Sequence, residues 1–188
     1  MLLETDFDCG NAAYNAVQTM LKKSNQNMTK LQSSLLSTIF QWYKNQSSPA
    51  SGEREFLNSM IRLMDNYKNE SDLMAWWGLA MLSVGYQNVV QHEVEPEMIV
   101  AARNILNMAL VYESNHPGAL HYLVQSYAVG QQEIAESIGE IAKLYRKIVS
   151  SSSHAHQIVA DIWMRTGNLR QNEQLSFTLL RGVRISFL

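Results

Sequence analysis

Helical spacing of apolar residues runs through almost the whole chain, and it constrains the fold more than any other feature. Residues 29–44, for example, place Leu31, Leu35 and Ile39 on one face, because side chains three or four positions apart lie on the same side of a helix. Only 9 glycines and 3 prolines occur among 188 residues, which is too few turn formers for a many-stranded β protein. The sequence therefore predicts an all-α fold of about nine helices joined by short polar turns.

Proline, glycine and small polar residues set the predicted ends of these helices. Ser51 ends a polar loop and is expected to cap the helix that follows it, and Asp72 is expected to cap the next one. Pro96 stands where the first turn of a helix tolerates proline. Pro117 is expected to stop the preceding helix, and Gly118 to let the chain turn.

Charge and cysteine content narrow the classes of partner and compartment. A formal charge of −2 produces no long-range field that would attract nucleic acid or an acidic membrane. The arginines near the C-terminus, among them Arg165, are spaced as on solvated helix faces. Cys9 is the only cysteine, so no disulfide can form within the chain. Without a signal peptide or an apolar run of membrane-spanning length, we expect a cytoplasmic protein with no nucleic-acid or membrane partner.

An internal repeat accompanies the helical spacing. Tyr127 is followed by Gly130 and Trp163 by Gly167, and the two aromatic residues lie 36 positions apart (163 − 127). Upstream, Trp76 begins a segment with the spacing of the tetratricopeptide signature W-x2-L-G/A-x2-Y. One such helix pair cannot bury its apolar face alone, so several pairs must stack.

Residue size explains the repeat physically. A small residue such as Ala80 lets two helices come close, while large residues such as Trp163 fill the gaps to neighbouring helices. We therefore predict an unassigned helical region over residues 1–50 and tetratricopeptide-like helical repeats over residues 51–188.

Two longer motifs carry a more specific resemblance. "NHPGALHYL…SY" (115–127) and "HAHQIVADIWMRTGN" (154–168) resemble a group of tetratricopeptide-repeat proteins known mainly from bacterial genomes. In that group the motifs run approximately H-P-G-A-x-H-Y-x-I-H-A-Y and P-H-x-x-H-M-P-S-H-I-x-x-R-x-G. The resemblance covers roughly residues 72–175 and implies an α-solenoid of stacked antiparallel helix pairs.

The histidines of these motifs allow a metal-binding interpretation. In the family, four or five imidazoles could meet between successive first helices, enough to bind zinc. Here Gln125, Gln157 and Asp161 stand where the family has histidine. The candidate ligands that remain are His121, His154 and Asp161, with the two glutamines as weak ligands.

A structural interpretation competes with the metal site. A histidine near a helix start can bond a free backbone group, and a buried polar row can fix the register of two helices by side-chain hydrogen bonds. Glutamine and aspartate serve that purpose nearly as well as histidine. His116, between Asn115 and Pro117, is expected to be a partly exposed hinge residue, and Ser153 to cap the helix that carries His154.

Protein binding is the function that the sequence favours. The stacked first helices of such solenoids line a concave surface on which peptides or helices dock. The candidate partner-binding residues are the polar ones on those helices together with one tyrosine: His121, Tyr122, Gln125, Gln157 and Asp161. The alternative is a metal-binding protein or a metal-dependent hydrolase that uses the His/Asp set. No zinc-protease, phosphate-loop, C-x-x-C or G-x-S-x-G motif occurs, and no cofactor is expected.

The C-terminal segment raises a third possibility. "SFTLLRGVRISFL" (176–188) is apolar, where a solenoid normally places a polar capping helix. The sequence therefore predicts either a shortened gene product without independent function, or a tail that packs on a partner or mediates self-association.

Overall fold

The structure is a computed structural model that describes residues 15–16, 18–20, 22, 28–44, 49–86, 96–128 and 137–167. Within these ranges, seven helices have defined bounds: α1 (Lys30–Lys44), α2 (Pro49–Asn66), α3 (Ser71–Gly85), α4 (Pro96–Tyr112), α5 (Pro117–Ala128), α6 (Ser137–Ile148) and α7 (Ser153–Arg165). Residues 15, 16, 18–20 and 22 are also helical, and no described residue lies in a strand. The all-α prediction is confirmed. The last helix and the apolar tail predicted after residue 168 lie outside the described residues.

The chain divides into two compact units, Met1–Ile105 and Leu106–Leu188, and the division falls within α4. The boundary predicted at residue 50 and the stacking of helix pairs into a solenoid both stay predictions. Among the described helices, none is both long enough and apolar enough to cross a membrane.

In the first unit, α2 packs on α1 and on α3. The contact between α1 and α2 includes a stack of Trp42 on Phe56, with ring centroids 4.5 Å apart and planes inclined by 11°. Ala80 of α3 is fully buried in the same core, as its small size in the repeat pattern predicts. Trp76 is partly buried and packs against this core. Aromatic stacking and close helix approach therefore hold these three helices together.

In the second unit, α5, α6 and α7 each pack on the other two. Every helix supplies a buried apolar face, as the helical spacing of the sequence predicts. The residues on these faces are Ala119, Leu120, Leu123 and Val124 of α5, Ile138, Ala142 and Tyr145 of α6, and Ala155, Ile158, Val159, Ile162 and Trp163 of α7. Trp163 is only 1% exposed, and the guanidinium carbon of Arg146 lies 5.4 Å from the centroid of its ring, a cation–π contact.

All three prolines of the sequence are the first residue of a helix, at Pro49, Pro96 and Pro117. Proline suits this position because its fixed φ is helical and the N–H that it lacks would have no partner within the helix. Pro96 confirms its prediction. Gly118 lies inside α5, so the chain turns before it, and the turn predicted at Gly118 is wrong. Gly167 does turn the chain, with a φ of 71° after the end of α7.

Two predicted helix caps in the first unit are wrong. Ser51 lies within α2, because that helix already begins at Pro49. The N-cap of α3 is Glu70, whose side chain makes no capping hydrogen bond, and Asp72 lies in the first turn. An acidic residue in the first turn still interacts favourably with the helix dipole, which is why Asp72 resembles a start signal in the sequence.

Glu53 of α2 has an unusual environment. Its Oε2 is buried and has no hydrogen-bond partner in the described part of the chain. One turn later on the same face lie Phe56 and Leu57, both buried. Removal from water disfavours the ionised carboxylate, and this burial raises the pKa of Glu53 from 4.5 to about 7.

We predict that Glu53→Gln flattens the dependence of stability on pH. Between pH 4.5 and 7 the folded chain holds a proton on Glu53 that the unfolded chain has lost, so stability from this group is lost as the pH rises through that window. At pH 8 the variant should be more stable by roughly 1 kcal/mol, a figure reduced for the partial exposure of the side chain. Urea unfolding at pH 5 and pH 8 measures this, with the exposed Glu55→Gln as control. Identical pH slopes in wild type and Glu53→Gln would contradict the prediction.

Candidate functional site

His116 caps the N-terminus of α5. Its Nδ1 accepts a hydrogen bond from the backbone N–H of Ala119 at 3.0 Å, one of the N–H groups that have no partner within the helix. His116 as a residue is only 6% exposed, so the expectation of a partly exposed hinge residue is wrong. In place of the usual Ser, Asp or Asn, a buried histidine fixes the start of the helix that carries His121.

His121 lies half-buried on α5, one turn after this cap. Its Nδ1 and the hydroxyl oxygen of Tyr145 on α6 are 2.8 Å apart, at hydrogen-bond distance. Tyr145 is 3% exposed, and the centroids of the two rings lie 5.6 Å apart. Because Tyr145 is held by the core, the hydrogen bond fixes the orientation of the His121 ring. Tyr122, the next residue on α5, makes an edge contact with His121 at a centroid distance of 5.0 Å.

His154, in the first turn of α7, also contacts the His121 ring. The ring centroids are 5.6 Å apart and the planes are inclined by 53°. Whereas His121 is half-buried, His154 is exposed. The start of α7 is fixed by Ser152, whose hydroxyl accepts from the N–H of Ala155 at 3.2 Å. The predicted cap, Ser153, is therefore wrong by one residue.

Burial controls the protonation of this cluster. The pKa of His121 falls from 6.5 to about 4, first because burial disfavours the imidazolium and second because His154 is close. Burial, reinforced by Tyr122, raises the pKa of the Tyr145 hydroxyl. At neutral pH, His121 and Tyr145 are both uncharged, so the buried side of the site is a neutral hydrogen-bonding pair.

The other predicted site residues follow the same two helices. Gln125 lies half-buried one turn after His121 on α5; on α7, Gln157 is exposed and Asp161 half-buried. Within the described ranges, no group of three or more His, Cys, Asp or Glu side chains could hold a metal ion. Of the three predicted metal ligands, His121 and His154 are in contact. Asp161 does not form a three-residue group with them.

Sequence reasoning missed two residues that build the site. Tyr145 lies on the buried apolar face of α6, and nothing in its sequence spacing shows that its hydroxyl would meet His121. Arg165 is exposed, as its predicted place on a solvated face implies. Its Nη1 also donates to the backbone carbonyls of Tyr127 and of Ala128, the latter at 3.1 Å. A cation at the C-terminus of α5 complements the helix dipole. In the sequence, the one signal for this contact is that Arg165 aligns with the arginine of the motif P-H-x-x-H-M-P-S-H-I-x-x-R-x-G.

No family model, curated protein or solved structure matches this chain. The tetratricopeptide resemblance of the sequence therefore stays a prediction.

We predict that His116→Ala destabilises the protein by on the order of 1–2 kcal/mol, through loss of the cap and of buried contacts. His116→Asn, whose side-chain oxygen can still accept from Ala119, should cost less. Urea unfolding at pH 7.5 compares the two, with Asn115→Ala at the exposed neighbour as control. If alanine and asparagine destabilise equally, capping is not what His116 contributes.

We also predict that His121 makes stability depend on pH in the acidic range. Its folded pKa, about 4, is lower than its unfolded value of 6.5, so the contribution is complete above pH 6.5 and is lost as the pH falls towards 4. Between pH 7.5 and pH 5 the loss should be about 2 kcal/mol, and His121→Gln should remove it. The imidazole resonances, followed by NMR in EDTA, report the pKa directly. In His154→Ala that pKa should rise, and a wild-type value near 6.5 would contradict the prediction.

Proposed function

We propose that this protein is a tetratricopeptide-like scaffold that binds a protein or peptide along the side of α5 and α7 that carries His121 and His154. The observation that carries the proposal is the contact between these two rings. In helical repeats of this kind the first helices of successive pairs lie side by side and line the binding surface. Here α5 and α7 are in contact, with α6 packed on both, an arrangement that such a surface requires.

Further polar side chains follow His121 along α5 and His154 along α7, so that each helix carries a polar row. Gln125 lies one turn after His121 on α5, while Gln157 and Asp161 lie three and seven residues after His154 on α7, on the same face. The amides and the carboxylate offer both donors and acceptors. A peptide backbone laid between the rows could hydrogen-bond to both, and Tyr122 would supply aromatic surface beside His121.

A metal-dependent hydrolase has less support. Catalytic zinc is held by three protein ligands and keeps a fourth position for water or substrate. Of the three predicted ligands, His121 and His154 approach each other, and Asp161 forms no three-residue group with them in the described structure. Protein binding needs only the polar rows, so it is the function that the geometry supports better.

We predict that peptides selected from a random display library by this protein bind between the two rows. Gln125→Ala combined with Gln157→Ala should weaken their binding at least tenfold, about 1.4 kcal/mol, because two sets of hydrogen bonds are lost. Fluorescence anisotropy with labelled peptide in EDTA measures the affinity. The exposed Asn107→Ala on α4 is the control, since it also replaces an amide and should change nothing. Undiminished affinity in the double variant would place the binding surface elsewhere.

A further inference from the structure

The contact between His121 and His154 also brings together two imidazoles, a side-chain type that binds metal ions. Its two imidazoles come from different helices, α5 and α7, and approach each other without stacking, with centroids 5.6 Å apart and planes inclined by 53°. One ring is half-buried and the other exposed, so the space beside them is open to solvent on the His154 side. A hydrogen-bond partner holds the buried ring in place.

The ring separation is close to the one that a shared metal ion imposes. Two imidazoles bound to one tetrahedral ion at Zn–N distances of 2.0–2.1 Å have ring centroids roughly 5 Å apart. The observed 5.6 Å exceeds this by an amount that a small rotation of the exposed His154 side chain can remove. The tilt between the planes is compatible with coordination, whereas parallel stacking would not be.

Tyr145 supplies the supporting contact that metal-binding histidines usually have. Such a histidine generally engages its second ring nitrogen in a hydrogen bond, which fixes the tautomer and aims the first nitrogen. When Nδ1–H of His121 donates to the Tyr145 oxygen, 2.8 Å away, Nε2 keeps its lone pair for a ligand. Burial of Tyr145 among the core residues means that this support does not depend on solvent-exposed groups.

We propose that His121 and His154 form a two-imidazole binding site for a divalent transition-metal ion of the zinc and copper class. Imidazole nitrogen is a preferred ligand of these ions, and bidentate attachment from two rigid helices reduces the entropy lost on binding. The remaining coordination positions face solvent beside the exposed His154 and are taken by water. With two protein ligands the site binds metal more weakly than a four-ligand structural zinc site.

Zinc titration of the full-length protein, freed of metal by EDTA and dialysis, tests the proposal. Competition with a chromophoric chelator at pH 7.5 should show one equivalent of Zn²⁺ bound by wild type. His154→Ala and His121→Ala should each weaken that binding at least tenfold. His154 is exposed, so its replacement leaves the core intact, and circular dichroism checks that the variant remains helical.

Two control variants separate this site from other zinc-binding groups. His92→Ala and Cys9→Ser remove a histidine and the thiol that lie outside the described residues, and both should bind zinc as wild type does. Equal binding by wild type and His154→Ala, or no binding at all by wild type, would overturn the proposal. The peptide-binding experiment is carried out in EDTA, so its outcome is independent of this one.

Discussion

The mutual packing of α5, α6 and α7 is the constraint on which the site depends. His121, Tyr145 and His154 come one from each of these helices, and none of the three could meet another without the apolar faces that bring the helices together. Trp163 lies fully buried among these faces. Burial of apolar surface stabilises the arrangement without specifying angles closely, so polar contacts have to fix how the helices are aligned.

Those polar contacts are concentrated at helix ends. His116 and Ser152 cap the starts of α5 and α7, and Arg165 donates to carbonyls in the last turn of α5. Each of them satisfies backbone groups that a helix leaves without partners. Since Arg165 belongs to α7, its contact also sets the position of α7 along α5. The two caps fix where α5 and α7 begin, whereas the Arg165 contact is the one of these that joins α7 to α5.

Individual residues show where sequence reasoning succeeded and where it failed. Pro96 was assigned correctly because its backbone preference is local: proline fixes φ at a helix start. Gly167 turns the chain after α7 for an equally local reason, since glycine adopts positive φ without strain. His116 was not assigned correctly, and the hydrogen bond of Tyr145 to His121 was not foreseen, because both depend on how neighbouring helices pack. A histidine next to Pro-Gly is expected in an exposed hinge. In the structure, His116 is buried and its side chain caps α5.

By itself, the sequence determined that the chain is all-helical, and it marked His121 and His154 as residues of one site. The first conclusion rests on periodicity, which depends only on the geometry of a single helix. The second rests on the resemblance of the two histidine motifs to a group of tetratricopeptide-repeat proteins. The tertiary structure decided which of the predicted residues meet: His121 and His154 do, with Tyr145 as the unpredicted partner, and Asp161 forms no three-residue group with them. The physical reason is that contact across helices depends on crossing angle and register. The packing of all three helices together sets the crossing angle and the register. The spacing of residues along a single helix does not encode either of them.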